Sequence, residues 1–458
     1  MNRAVPLPPG LPPQSTPSVG GSWRELEEVM GGLLHLTINC PCFTQTSVDP
    51  TTNPFAPGAG TQPPELAGRD QIIHNATVAL RRVKAGRPAK SQMLLGLRGV
   101  GKTVLLNRLA EIAEVEGLAQ IMLEAPEDRT LVEMLVPPLR KLLFKLNRIE
   151  HAQALAKEAL GILRAFAQTF KASVGEIEFS VGSAVGTGDS GALESDLPEV
   201  LMAVARAAKS DGSGVALFVD EVQYLSEQEL SALITAAHKM AQKGLPFILF
   251  GAGLPQLAAL AAEAKSYAER LFDYPEVGPL SREAAREAIV APIEREGASI
   301  NEDAVNLIVE KTQAYPYFLQ EWGSHSWNVA TLSPVSVLDV EDATARALAA
   351  LDGGFFRVRL DRLTPREKDY VRAMAHLGPG PHRSGEIAQI LGIDVSSAGP
   401  LRSGLIKKGV VFSPQYGDTA FTVPLFDEFM KRSMPEWTAN MMPSEPPKKR
   451  ARTKRTRR

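Results

Sequence analysis

One octapeptide constrains this chain more than any other part of it: Gly96-Leu97-Arg98-Gly99-Val100-Gly101-Lys102-Thr103. It has the spacing Gly, four residues, Gly-Lys-Thr. It stands between a short apolar run (residues 92–97) and a segment with helical apolar spacing (103–116, with Val104, Leu105, Leu109, Ile112 and Val115). Glycines let the backbone wrap tightly enough to converge several N–H donors on one point, and the helix that follows adds the positive end of its dipole. Such a turn cradles polyphosphate oxygens. On that chemistry Gly96, Arg98, Gly99, Val100, Gly101, Lys102, Thr103 and Val104 are candidate nucleotide-binding residues. Lys102 is expected to reach the β- and γ-phosphates, and Thr103 to offer its hydroxyl to Mg²⁺.

A second element carries complementary chemistry. Val215-Ala216-Leu217-Phe218-Val219 is a continuous apolar run ending in Asp220 and Glu221. A buried parallel strand reads this way, and α/β sheets place ligands at the carboxyl ends of such strands. Asp220 is expected to orient Mg²⁺ and Glu221 to polarise an attacking water, which makes Glu221 the candidate catalytic base. Lys102 is counted with it among the catalytic candidates.

Around these motifs, apolar runs at 92–97, 120–124, 215–219 and 246–250 alternate with helical stretches, which predicts a parallel α/β sheet. After Pro279 the strands stop, and residues 281–296, 301–313, 317–329 and 338–351 read as helices of a small all-α lid. Three short helices (364–376, 384–391, 396–408) and two β-like runs (410–413, 420–423) then predict a winged helix. Residues 174–195 read as a hairpin or mobile loop. The expected boundaries are a poorly ordered, Pro/Gly-rich extension at 1–62, a nucleotide-binding core at 63–278, a lid at 279–352, a winged-helix domain at 353–435 and a disordered basic tail at 436–458. Cys40 and Cys42 read as incidental thiols, and no signal peptide or membrane segment is evident, so a cytoplasmic protein is expected. A formal net charge of −2 excludes a general polycation, so any nucleic-acid affinity must come from a local patch.

The glycine-rich loop, the 215–221 strand and the terminal three-helix unit together resemble the AAA+ ATPases of the archaeal-ATPase and origin-recognition-like group, over roughly residues 54–432. The resemblance implies a P-loop sheet with an all-α lid and a winged-helix domain, ATP and Mg²⁺ as ligands, and ATP hydrolysis. It implies that residues 53–60 and 66–70 approach the base, with Arg69 at the family's Gly-Arg position. Ala314-Tyr315-Pro316 resembles a lid motif that packs on the nucleotide, adding Pro316 to the candidates. Arg270 resembles an arginine finger for a neighbouring subunit, and a surface arginine is the equal alternative. Two departures argue against fast turnover. Residues 250–253 (Phe-Gly-Ala-Gly) lack the polar sensor common at the end of the fourth strand, and residues 314–318 lack a sensing arginine.

In a winged helix the third helix enters the major groove of DNA, so Ser397, Arg402, Lys407 and Lys408 are the candidate DNA contacts. The polybasic stretch at 448–458 would add salt-sensitive affinity. These features favour an ATPase that couples Mg²⁺–ATP binding and hydrolysis to duplex-DNA binding. A nucleotide-dependent signalling or scaffold switch, binding a protein partner or a second copy with little turnover, is the alternative.

Overall fold

The structure is a computed structural model that describes residues 47–58, 60–125, 129–171 and 186–440. Expectations for residues 1–46 (Cys40 and Cys42 included), for most of the 174–195 stretch and for the basic residues 448–458 lie outside the described residues.

Five strands, Ser91–Leu95 (β1), Ala119–Glu124 (β2), Val215–Asp220 (β3), Phe247–Gly253 (β4) and Phe272–Asp273 (β5), form a parallel sheet in the order β2-β3-β4-β1-β5. Every residue of β1, β3 and β4 is buried, as in strands covered on both faces. Ala216, Phe218, Ile248 and Phe250 share one core with the helices Asp70–Lys84 (α1) and Lys102–Val115 (α2). Val215, Leu217, Val219 and Leu249 share the other with Leu131–Leu146 (α3), Gln153–Thr169 (α4), Leu193–Ser210 (α5) and Glu227–Gln242 (α6). Each large apolar side chain so buried contributes about 1.5–3 kcal/mol before entropy is counted. The expected α/β sheet thus forms. It also contains α6, which the apolar runs alone did not announce and which a capping box of Ser226 and Glu229 opens. Because β4 lies between β1 and β3, the glycine-rich loop and Asp220 project from the same edge of the sheet, on either side of the end of β4.

Short helices Leu257–Ala264 (α7) and Ala268–Leu271 (α8) lead into β5. The lid follows: Arg282–Arg295 (α9), Glu302–Thr312 (α10), Pro316–Val329 (α11) and Val337–Ala350 (α12). Pro316 opens α11 at a position where its missing N–H costs nothing, and Ser336 with Asp339 caps α12. The lid does not end at the Gly353-Gly354 pair. The helix runs on through a π-helical turn, Leu351–Phe356, into Arg357–Asp361 (α13).

Residues 47–58, assigned by composition to the poorly ordered extension, are packed on this lid. Phe55 is buried in a place that Gly323 leaves open, where a Cβ would come within 2.6 Å of the ring. The Trp327 indole donates to the Asp49 carbonyl at 2.8 Å, and the Val48 N–H to the Thr331 carbonyl at 3.2 Å.

The C-terminal unit has the order Pro365–Leu377 (α14), His382–Arg383 (β6), Ser384–Leu391 (α15), Val395–Lys407 (α16), Val411–Phe412 (β7), Asp418–Phe421 (β8) and Phe426–Ser433 (α17). Its strands form an antiparallel sheet in the order β6-β8-β7. Phe356 of the π turn stacks on Phe429 at 5.2 Å and meets Phe426 edge-on, so lid and C-terminal unit share one core. Residues 436–440, expected in the tail, also pack here. Trp437 covers the Arg372 guanidinium at 4.9 Å, and Gly392 sits against the Asn440 carbonyl.

Candidate functional site

Backbone pairing brings the glycine-rich loop off the end of β1. The Gly96 N–H donates to Gly253 O at 3.1 Å, and Val277 closes over Gly96 so tightly that a side chain there would strike its carbonyl. Gly99 and Gly101 hold φ of 84° and 90°, in the region that favours glycine. Gly99 also lies under Tyr315 and Tyr317, where a Cβ would come within 3.1 and 3.2 Å. The lid grips the same loop, since the Tyr317 N–H donates to Gly99 O at 3.2 Å and the Tyr315 hydroxyl to Arg98 O.

Lys102 opens α2, and its ammonium donates to Gly96 O at 3.0 Å and Leu97 O at 2.9 Å, leaving one of its three N–H donors for a ligand. Thr103 donates its hydroxyl to Asp220 Oδ2 at 2.5 Å, so the two residues assigned to Mg²⁺ meet. Glu221 stands next to them with φ of 53°. Its carboxylate accepts from the Gln223 amide, and its Oε1 lies 3.9 Å from Arg98. Gln223 in turn accepts from the Leu254 N–H at 3.1 Å and occupies the space beside Gly253. The polar group missing from the end of β4 is therefore supplied from the turn after β3.

A cavity of about 520 Å³ surrounds this constellation. Arg98, Gly99, Val100, Gly101, Lys102, Thr103, Val104, Glu221, Arg69 and Pro316 line it, and Ala56, Gly58, Gly60 and Leu66 form its apolar end. A roomier groove of about 680 Å³, along α1 and beside β5, contains none of the loop.

The electrostatics are lopsided. Four cations, Lys102, Arg69, Arg98 and Arg359, line the cavity with two acids, Glu221 and Glu65, and Glu65 is paired with Arg295. Burial pulls Lys102 down, with Arg98 adding to the fall against the pull of Glu221 and Asp220. Burial also lowers Arg69, and it brings Arg359 to about 10 with Arg98 contributing. Burial raises Asp220, and the neighbouring Glu221 pushes it further. The buried Arg98 Nε has no hydrogen-bond partner. Such a cavity is short of negative charge, which suits a polyphosphate. Among the described residues no cluster of three or more His, Cys, Asp or Glu could hold a metal alone. A Mg²⁺ held by Thr103 and Asp220 would take its remaining oxygens from phosphates and water.

Other assigned residues lie elsewhere. Arg270 is exposed on α8 and does not line the cavity. Ser397 and Lys407 are exposed on α16. Arg402 and Lys408, assigned to DNA, are turned inward. Ala398 and Leu405 set the buried face of α16, and residue 402 shares it. Arg402 donates to Thr419 Oγ1 at 2.8 Å, Ser413 Oγ at 2.6 Å and Asp418 O at 2.9 Å. Lys408 donates to Glu367 at 2.6 Å and to Arg362 O at 3.0 Å.

The C-terminal unit reaches the loop itself. The Arg98 N–H donates to Thr422 O at 3.3 Å, and the Arg98 guanidinium lies where a Cβ on Gly409 would be, 2.6 Å away. Tyr317, Gln320, Phe355 and Arg359 also line the cavity without having been singled out. The only local signal for the last two is an aromatic and a cation one helical turn apart, directly after Gly353-Gly354.

A parallel sheet of this order, with Gly-x4-Gly-Lys-Thr after β1 and Asp-Glu closing β3, defines a P-loop ATPase fold under an all-helical lid. Residues 65–250 match the model of the AAA ATPase domain. Residues 353–430 match the model "Domain of unknown function (DUF8462)". Comparison with curated proteins gives no match. Among solved structures, the chain is similar to the Walker-type ATPase PABY2304 of Pyrococcus abyssi, with 18% identity, a TM-score of 0.53, and 80% of this chain and 96% of that one covered. The Aeropyrum pernix ORC2 protein follows with 15% identity, a TM-score of 0.48 and coverage of 82% and 98%. Cdc6p of Pyrobaculum aerophilum has 14% identity, a TM-score of 0.43 and coverage of 85% and 99%. The Pyrococcus likeness bears on the fold alone. No helix among the described residues is long and apolar enough to cross a membrane.

Proposed function

We propose that this protein binds Mg²⁺–ATP between sheet and lid, hydrolyses it slowly, and uses the nucleotide state to set the grip of its C-terminal unit on duplex DNA. The observation that carries this reading is the contact of Arg98 with Thr422. One residue of the phosphate cradle is hydrogen-bonded to the C-terminal unit, so a ligand that reshapes the loop acts on that unit.

In this reading the amides of residues 99–103 and the Lys102 ammonium take the phosphates, while Ala56, Gly58 and Leu66 flank the base. Mg²⁺, when bound, would neutralise developing charge on the phosphate oxygens. Glu221 positions and polarises the attacking water, and the Gln223 amide fixes its carboxylate. Slow turnover is expected because the Gln223 amide already occupies one Glu221 oxygen and Arg98 lies 3.9 Å from the other.

For DNA, Lys407, Arg383 and the fully exposed wing residue Tyr416 supply the accessible groups, joined by the basic residues 448–458. A protein partner is the second reading, and the inward Arg402 and Lys408 favour it. Without them, the exposed face of α16 offers Ser396, Ser397, Gly399 and Ser403, which suit a neutral surface better than phosphates.

The test is a shift assay on random duplex, with and without ATP–Mg²⁺, on wild type and Lys102→Ala. Nucleotide-dependent binding lost in the variant supports the first reading. No shift in any state moves the function to a protein partner.

A further inference from the structure

The helical run that joins lid to C-terminal unit carries a cation into the cavity. Arg359 sits in α13, one turn past Phe355, and both line the cavity with the glycine-rich loop. A stack fixes its place. Tyr317, bonded through its N–H to Gly99 O, stacks on the Phe355 ring at 4.6 Å, and the Arg359 guanidinium covers that ring at 3.9 Å. One of its N–H groups donates to Phe355 O.

Arg359 has no carboxylate partner among the described residues, whereas Arg357 beside it pairs with Asp361 at 3.9 Å. A guanidinium carries five N–H donors in a planar fork suited to phosphate oxygens. Arg98 is its charged neighbour and Tyr315, Tyr317 and Tyr224 its polar ones; Arg98 in turn donates to the Tyr224 hydroxyl and lies 3.9 Å from Glu221. That places Arg359 toward the hydrolytic end of the cavity, away from the apolar end at Ala56 and Leu66.

We propose that Arg359 binds the terminal phosphate of the bound nucleoside triphosphate, so that the helix joining lid and C-terminal unit distinguishes ATP from ADP. The proposal rests on the nucleotide reading above. It deepens that reading by naming the residue through which the C-terminal unit senses the third phosphate. Burial of Arg359 beside another cation agrees with it, because an anion between them would relieve both.

The experiment is equilibrium binding of methylanthraniloyl-labelled ATP and ADP with Mg²⁺ to wild type, Lys102→Ala, Arg359→Gln and Arg359→Lys, with thermal unfolding of each free protein. Arg359→Gln is expected to weaken ATP about tenfold or more, the worth of a charge-assisted hydrogen bond, and ADP by less than about threefold. Arg359→Lys keeps the charge but not the fork and should fall between wild type and Arg359→Gln. An arginine that merely packs on Phe355 would lower the unfolding temperature and leave the ATP:ADP affinity ratio unchanged, and an unchanged ratio overturns the assignment. If Arg359→Gln does not fold, Arg359→Lys decides by the same ratio. Wild type binding neither nucleotide overturns the nucleotide reading and this assignment with it. Wild type binding both, Lys102→Ala binding neither and an unchanged ratio in the Arg359 variants overturn this assignment alone.

Discussion

Two groups of cations in this molecule are used in opposite ways. Arg402 and Lys408 of the C-terminal unit spend their donors on Thr419, Ser413, Asp418, Glu367 and a backbone carbonyl. Arg98 and Arg359 in the cavity keep donors in reserve. Arg98 has a buried Nε without a partner and a carboxylate no nearer than 3.9 Å, and Arg359 has no carboxylate partner among the described residues. Buried polar groups in folded proteins are nearly always satisfied. A buried cation that lines a cavity without a close carboxylate partner therefore marks a place for a ligand, whereas a cation bonded to several groups of its own domain marks a joint. Residue type alone, or position on a presumed recognition helix, does not tell the two apart.

The contrast can be broken in five ways, beginning with the largest effect. Glu221→Gln should lower phosphate release about 10²–10⁴-fold while leaving ATP affinity within about threefold, because only the water-polarising group is removed. Turnover close to wild type would show that the base lies elsewhere. Lys102→Ala should weaken ATP at least about 100-fold by calorimetry, and unchanged affinity would mean that the surplus of cations serves no polyphosphate.

Arg402→Ala is expected to cost the C-terminal unit about 1–3 kcal/mol, since it strands Thr419, Ser413 and a carbonyl, and a lowered unfolding temperature would register it. Lys407→Ala should leave stability within about 0.5 kcal/mol and, if the DNA reading holds, reduce the salt slope of DNA binding by about 1. The reverse pattern, with Arg402 affecting only DNA and Lys407 only stability, would undo the comparison.

The smallest effect concerns pH. Burial alone would raise the Glu367 carboxyl, but bonds from Lys408 and Thr364 outweigh it and hold the group below its ordinary 4.5. An acid depressed in the folded state stabilises it above its ordinary value and loses that contribution as pH falls through the depressed value. Wild type should therefore lose stability from about pH 4.5 downward more steeply than Glu367→Gln. Parallel melting curves for the two proteins would show the Lys408 pair to be idle.

Legibility followed locality. The glycine-rich loop and Asp220-Glu221 could be read because motif and flanking strand are contiguous, and all of them fall in one cavity or beside it. Residues 47–58 could not be read, because what orders them is Phe55 meeting Gly323, a pairing invisible to composition. The inward turn of Arg402 depends on which face of α16 Ala398 and Leu405 choose. Arg359 was hidden by the π turn. Its wider hydrogen-bond ring adds a residue, so everything beyond it is rotated by roughly 100° from where a 3.6-residue period would place it. The polar group beside β4 came from Gln223, two residues past Glu221, rather than from the strand itself.

The bond between the Arg98 amide and the Thr422 carbonyl joins an early part of the chain to a late one. During synthesis the loop leaves the ribosome long before Thr422 has been translated, and domains generally fold as units from the N-terminus onward. Until then the Arg98 amide has only solvent or a passing anion to donate to, and the C-terminal unit is the last element to reach the loop. A chain born in abundant nucleotide and one born in scarcity would accordingly meet that final docking step on different terms.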